Sequence, residues 1–553
     1  MKNSYFTALF VLIVQVSNAQ FPVDSMLNYM VDDKTGSEQV TPLSERTSDG
    51  YTYISWFDNS SGQYNLRLQR LDMDGVPQWS QGGIVVSSFQ QNSALFRYDL
   101  AVDNENNAII GFQDERTGTL QVVAYKVSTA GASVWGNGIV LQDSTADGLS
   151  PRITVTDVND VIVAWNASLG SSKWVAYSKI SAGGQLQWTK RIWNNQKYSR
   201  AVMLPAGADG FQMLYVQESG NFPGVTSTMY LQRFDSSGTA LWPSPVQVST
   251  KTISFFFFPE IISDNHDGIY IAFNTGNPSN PMMNDVYAQH VDSAGNTWSA
   301  TGTECANSTT EHKLTGGFVT NDTGSELYVL LQVLDGSQGS SGIAIQKLNS
   351  AGAVMLGVNA LNLQAISSTY YLPVGLVNTQ NGLMLAYLVG GFGNQTLHGM
   401  LTDYNGILQW GYDPAISAVL SNKDDVTCTN YQVGGMVVVW SDDRIDGGVY
   451  AQNLFLNGGM GPTVSIEETS LVREMNLFPN PSANPQLKLY AEREGDFLLT
   501  VTDPQGRTVF SMKAHLNSGE NSIQIPEYSA SGIYFLSVSD ENKEVHALKW
   551  IRP

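Results

Sequence analysis

A polar turn closed by glycine and followed by a tryptophan recurs along most of this chain, and that recurrence limits its possible folds more than any other feature. Leu66 to Trp79, Ala176 to Trp188, Met229 to Trp242 and Val286 to Trp298 share one grammar: an alternating strand, the turn, then Trp three or four residues after Gly. The turn glycines are Gly75, Gly131, Gly184, Gly238, Gly295, Gly352 and Gly406, with Gly458 as a degenerate eighth. Successive positions differ by 56, 53, 54, 57, 57, 54 and 52 residues. A period this regular means a repeat architecture. It also resolves what 553 residues, too many for one ordinary core, are for.

In the third repeat, Arg152 to Thr156, Val161 to Trp165, Trp174 to Ile180 and Gln185 to Trp193 read as four strands. Short strands joined by turn clusters, with no helical period between them, predict an all-β antiparallel fold. The first turn returns as Asn104 to Asn107, Ala208 to Gly210, Asn265 to Gly268 and Gln380 to Gly382. Asn-Gly and Asp-Gly supply the positive backbone dihedrals of tight hairpins, so these acidic loops read as turns rather than cation sites. A four-stranded unit of about fifty residues cannot bury both faces alone, whereas radial stacking can. The prediction is an eight-bladed β-propeller of four-stranded blades over residues 37–461. The last repeat lacks its Gly-x-x-x-Trp strand. Ring closure therefore calls on Phe21 to Asp32, largely within the N-terminal segment 20–36, with Thr463 to Glu467 as the competitor.

Trp79, Trp135, Trp188, Trp242, Trp298 and Trp410 stand at one point of their repeats, which suits packing between blades. Phe255 to Phe258, the greasiest spot, is expected to be a buried strand. The Asp-x-x-Gly-x-x-x-Trp register resembles the tryptophan-docking repeats of the pyrroloquinoline quinone dehydrogenases and their non-enzymatic relatives. In the enzymes that resemblance implies a quinone and calcium in the channel; their adjacent cysteine pair is absent here, so it carries the fold and not the activity. Trp440-Ser-Asp-Asp-Arg444, echoed at Phe112 to Arg116 and Trp56 to Asn59, fits an acid and an Arg tying the loop after the second strand. The Ser-x-Asp-x-Gly-x-Thr-Trp box of sialidase-type propellers is missing.

A net charge of −21 disfavours nucleic acid and anionic membrane surfaces and suits solubility outside the cell. Calcium is a possible ligand of so acidic a chain, yet no acidic cluster has calcium-loop spacing. Cys305 and Cys428 fall in repeats that are not neighbours and are expected to be unpaired. The six histidines lack zinc spacing, and nucleophile-elbow and Walker motifs are absent. No catalytic, cofactor-binding or metal residue is therefore singled out. Residues 1–19 read as a signal peptide cleaved between Ala19 and Gln20, and no later run is long enough to span a bilayer.

Residues 462–475 break the repeat as a polar linker, and 476–553 read as a small β-sandwich. This last segment resembles the type A C-terminal sorting domain of cargo of the type IX secretion system of Bacteroidetes. The resemblance rests on Phe478-Pro479-Asn480-Pro481, on Asp503-x-x-Gly506-Arg507-x-Val509 and on Gly519-x-Asn521. Ser531-Gly532-Ile-Tyr534 and the basic ending Lys549 to Arg552 complete it. It implies engagement of the type IX machinery, export through the outer membrane, removal of the tail, and release or attachment at the cell surface. For the ring, the expectation is adhesion or another surface interaction with a glycan or protein partner. The alternative is an enzyme, a hydrolase or lyase acting on extracellular glycans with channel-lining carboxylates. The longest departures from the repeat, Glu218 to Ser227 and Thr275 to Asp285, mark the expected ligand face.

Overall fold

Each repeat folds as its alternation asks, into four antiparallel strands. In the third they are Asp147–Val155, Val161–Leu169, Ser172–Ile180 and Leu186–Ile192, paired in chain order. The computed structural model describes residues 20–87, 89, 97–116, 118–221, 224–278, 280–463, 472–491, 494–504, 507–526, 530–540 and 543–553. Among them, eight such sheets form the blades of a propeller, numbered here 1 to 8 along the chain. Middle strands such as Thr52–Asp58, Ala108–Asp114 and Met436–Asp442 are buried at every residue. They lie between two neighbouring sheets, which is why they read as apolar runs.

The core is eight apolar seams, each drawn from two successive blades. Ile109, Val122 and Trp135 of blade 2 meet Ile153, Val163 and Trp165 of blade 3. The seam that closes the ring joins Ile54 and Trp56 of blade 1 to Tyr29, Val437, Val439 and Val449 of blade 8. Strand Tyr29–Asp32 pairs antiparallel with Gly448–Leu454 and occupies the fourth position of blade 8. Thr463 instead donates its backbone N–H to Asp74 (2.6 Å).

The seams have a recurring lock. Gly184 has φ of +86°, and a Cβ there would lie 2.6 Å from Cδ1 of Trp135. Only glycine lets the indole of the preceding blade rest on the turn. Trp79, Trp188 and Trp298 meet the next turn's glycine in the same way. The indole N–H groups of Trp298 and Trp410 donate to the carbonyls of Ser350 (2.8 Å) and Leu456 (2.7 Å) in the following turns. At closure Phe21 substitutes for a tryptophan: its ring lies 2.7 Å from where a Cβ on Gly75 would be, and its N–H donates to Asp74 O (2.8 Å). In blades 1, 4 and 5 a glutamine three residues before the turn acid holds the Trp loop. Gln69, Gln232 and Gln289 accept the N–H of Trp79, Trp242 and Trp298.

The acidic first turns are neutralised within the fold by pairs such as Lys126–Asp103 (2.7 Å) and Lys179–Asp160 (2.9 Å). Cys305 and Cys428 are both free. Residues 464–553 cluster as a second unit. One sheet joins Val472–Phe478, Gln486–Ala491 and Gly519–Gln524. The other is ordered Thr508–Leu516, Gly495–Thr502, Gly532–Asp540, Lys543–Arg552. Leu487, Leu499, Leu536 and Trp550 belong to one apolar core between them.

Candidate functional site

The first strand of each blade is the innermost, and several carry a bulge. The register slips at Val40/Leu43, Leu149/Arg152, Ser199/Val202 and Asp424/Thr427, with positive φ at Thr41, Ser150, Arg200 and Asp425. A bulge re-aims a side chain, and at Arg200, only 5% exposed, the result is specific. Its guanidinium donates to the carbonyls of Ser254 (3.1 Å), Phe255 (2.8 Å) and Phe257 (2.9 Å), and to Ser227 Oγ (2.7 Å). Its backbone N–H donates to Asn166 Oδ1 (2.7 Å).

The segment that Arg200 holds is not the buried strand expected from Phe255 to Phe258. It is a loop, with Phe256 73% exposed and Phe258 38% exposed, and the inner strand of blade 5 shrinks to Ile262–Ser263. Three causes act together. Ser254 starts a turn, its carbonyl accepting the N–H of Phe257 (3.1 Å). Pro259 has no N–H to pair. The loop carbonyls take Arg200 where a ladder would otherwise take them. Phe257 alone reaches the apolar seam between blades 4 and 5.

Under the loop lies a cavity of about 240 Å³ lined by Asn166, Lys173, Tyr198, Glu218, Phe255 and Phe256 among others. Glu218, 6% exposed, accepts from Ser199 Oγ and faces Lys173 at 3.6 Å. A smaller space of about 20 Å³ adjoins it, sharing Ser150, Asn166, Arg200 and Phe258. There Glu260 of blade 5 meets Arg152 of blade 3 in a close ion pair and Arg97 of blade 2 at 3.6 Å. Arg97 also stacks on Phe258, 4.0 Å from the ring centroid. Asp99 accepts the N–H of Ile153 (2.7 Å), and burial pushes its carboxyl up against the pull of Arg152. Glu45, on the inner strand of blade 1, is exposed to water but hemmed in by surrounding chain. That enclosure first, and Asp99 second, push its carboxyl up to about 7.

Of the two loops marked from sequence, one contributes Glu218 and Ser227 to this site. The other is a hairpin in which Thr275 Oγ1 donates to Thr252 O (2.9 Å) at the root of the aromatic loop. Arg97, Arg152, Arg200 and Glu260 were missed, because they come from four repeats and share no spacing. The tryptophans lie in the seams: Trp135 is buried, and Trp79, Trp188, Trp242, Trp298 and Trp410 are half-buried. The acid and Arg after the second strand pair as Asp114–Arg116 (2.5 Å) and Asp442–Arg444 (2.6 Å). Among the described residues, no group of three or more His, Cys, Asp or Glu is placed to hold a metal.

In the second unit the Pro479-Asn480-Pro481 stretch is tied to the last strand. Asn480 accepts the N–H of Ile551 (2.8 Å) and donates to Lys549 O (2.7 Å). Arg507 pairs with Asp503 (2.7 Å), and Tyr534, beside Gly532, packs on Trp550 with centroids 5.5 Å apart. Gln20 is exposed. Residues 1–19, with Ala19, most of the linker, and Gly506 lie outside the described residues.

The family described as secretion system C-terminal sorting domain matches residues 476–551. No curated protein sequence matches the chain. Among solved structures, an ulvan lyase from a polysaccharide lyase family is 10% identical, covering 78% of this chain and 96% of its own, with a TM-score of 0.42. An α-L-arabinanase from Penicillium chrysogenum is 10% identical over 55% of this chain and 93% of its own, with a TM-score of 0.33. These likenesses bring no chemistry to this chain, and the fold stands on the strand pairing above. The described residues contain no helix long and apolar enough to cross a membrane. The chain is a β-propeller carrying a type IX sorting domain at residues 476–551, which directs it out of the cell, to the medium or the cell surface.

Proposed function

We propose that the exported propeller binds an extracellular saccharide in the cleft beneath the loop 254–260. One observation carries the reading: a buried arginine holds Phe256 and Phe258 open to water over a cavity ringed with polar side chains. Exposed large aromatics beside a concave, polar-edged space mark a binding surface. A pyranose ring has an apolar C–H face for such aromatics and hydroxyls for Asn166, Lys173 and Glu218. The protein's place outside the cell puts glycans within reach. The test is a glycan-array screen of the full chain, with and without calcium, followed by calorimetry on each hit. Phe256→Ala should weaken binding at least about tenfold, as loss of an aromatic anchor does; unchanged affinity would sink the proposal.

A second reading, cleavage of the bound glycan, is favoured by Glu45 and Asp99. Glycan hydrolysis needs a carboxyl of raised proton affinity as general acid, and Asp99 lies near enough to Glu45 to raise it. Turnover of a bound polysaccharide that Glu45→Gln abolishes would favour it over binding alone.

A further inference from the structure

We infer that Arg97 and Arg152 form a subsite for the carboxylate of an acidic saccharide, and that Glu260 occupies this subsite while the protein is unliganded. The inference rests on the saccharide reading above and names the ligand class. Two guanidinium groups from blades 2 and 3 converge on one carboxylate delivered by blade 5. Such a fork matches a planar carboxylate, and Glu260 displays the fit. Some ion pairs of the propeller are sealed, as Lys423 and Asp442 are, both fully buried. Here Arg97 is 48% exposed and Glu260 49%, so water and solutes reach the pair. The Arg97–Glu260 contact, this open, contributes little and exchanges readily.

The surroundings separate what is fixed from what can leave. Asp99, anchored by the N–H of Ile153, stays as the counter-charge of Arg152. Glu260 follows Pro259 at the end of the aromatic loop, beyond the carbonyls that Arg200 grips. The smaller space holds about 20 Å³, room for about one water, so no ligand acid enters until Glu260 swings out. It shares Phe258 and Asn166 with the larger cavity. A sugar ring seated there on the phenylalanines would direct its carboxylate at the two arginines.

The test uses calorimetry on the full chain with a panel of oligouronides built on galacturonic, glucuronic or mannuronic acid. Their methyl esters and sulfated neutral oligosaccharides are the controls. The acid form of the preferred sugar should bind about tenfold tighter than its ester, the size of one charge-assisted contact. Glu260→Gln should tighten the acid about tenfold further and leave the ester unchanged, and Arg97→Gln should erase the preference. Equal binding of acid and ester to the wild type overturns the inference and leaves the saccharide reading standing. Equal gain from sulfated sugars overturns the carboxylate assignment. Silence from every saccharide overturns both. Should Glu260→Gln not fold, the wild-type ratio of acid to ester decides alone.

Discussion

The closing seam between blades 8 and 1 and the cleft beneath the loop 254–260 both depart from the repeat, in opposite directions. At the closing seam blade 8 supplies no turn tryptophan for Gly75, yet Phe21 arrives from the N-terminal segment and lies on that glycine as an indole does elsewhere. The chemistry changes and the packing role is kept. At the loop 254–260 the chain supplies four consecutive phenylalanines, and the fold leaves two of them facing water. Here apolar residues are present and packing is declined. A departure that restores the repeat serves stability, whereas one that exposes apolar surface needs another purpose.

Breaking the closing seam should therefore have the largest effect on stability. Phe21 is 1% exposed, and Phe21→Ala should cost about 3–5 kcal/mol, measured as a lower urea midpoint. A loss below about 1 kcal/mol would mean that the ring closes without it. Next in size is Gly184→Ala. The added Cβ meets both an unfavourable φ and Trp135, so about 2–4 kcal/mol should be lost. Gly136→Ala is the control: its φ is +60° but nothing lies within 4 Å of the new Cβ, so only the backbone penalty of about 1–2 kcal/mol applies. Equal losses would show that the indole does not dock on the turn in solution.

The blades were legible because the turn glycines are local features that recur. What the tryptophans dock on was not legible: each lies against a glycine one repeat later, a relation no window of sequence contains. The clamp by Gln69, Gln232 and Gln289 was legible and missed, since it recurs three residues before the turn acids Asp72, Asp235 and Asp292. Phe255 to Phe258 was misread because a short apolar run fits a buried strand and an exposed loop equally well. Ser254 and Pro259 were the available signs. Nothing in the sequence brings Arg97, Arg152 and Glu260 together, because ring geometry alone makes blades 2, 3 and 5 meet.

The closing seam should also be the acid-sensitive one. Asp58 bonds Lys34 of the N-terminal segment (2.5 Å) and Arg67 (2.6 Å). Burial works to raise its carboxyl, but Lys34 and Ser60 outweigh that and hold it at about 2. A carboxyl lowered on folding contributes stability above its unfolded pKa near 4, and loses it as pH falls toward about 2. Lys34 is about a third exposed, so the contribution is on the order of 1–2 kcal/mol. The stability difference between wild type and Asp58→Asn should have that size at pH 5 and shrink toward zero at pH 2. A difference that stays constant across this range would detach the latch from Asp58.

The smallest expected effect is the one on which the contrast turns. Phe256 is 73% exposed and meets the ring of Phe255 edge-on at 5.3 Å. Truncating it uncovers no seam, and the loop remains gripped through backbone carbonyls that the substitution leaves in place. Phe256→Ala should thus stay within about 0.5 kcal/mol of wild type, as exposed substitutions do. Trp135→Ala, which empties part of a seam, should cost about 3–5 kcal/mol. Urea midpoints of the two variants measured side by side decide the point. A loss above about 1 kcal/mol from Phe256→Ala would make the loop one more packing element, and the cleft would lose its claim to a ligand. A neutral result leaves the exposure of that ring without a structural reason, and binding is then the function that explains it.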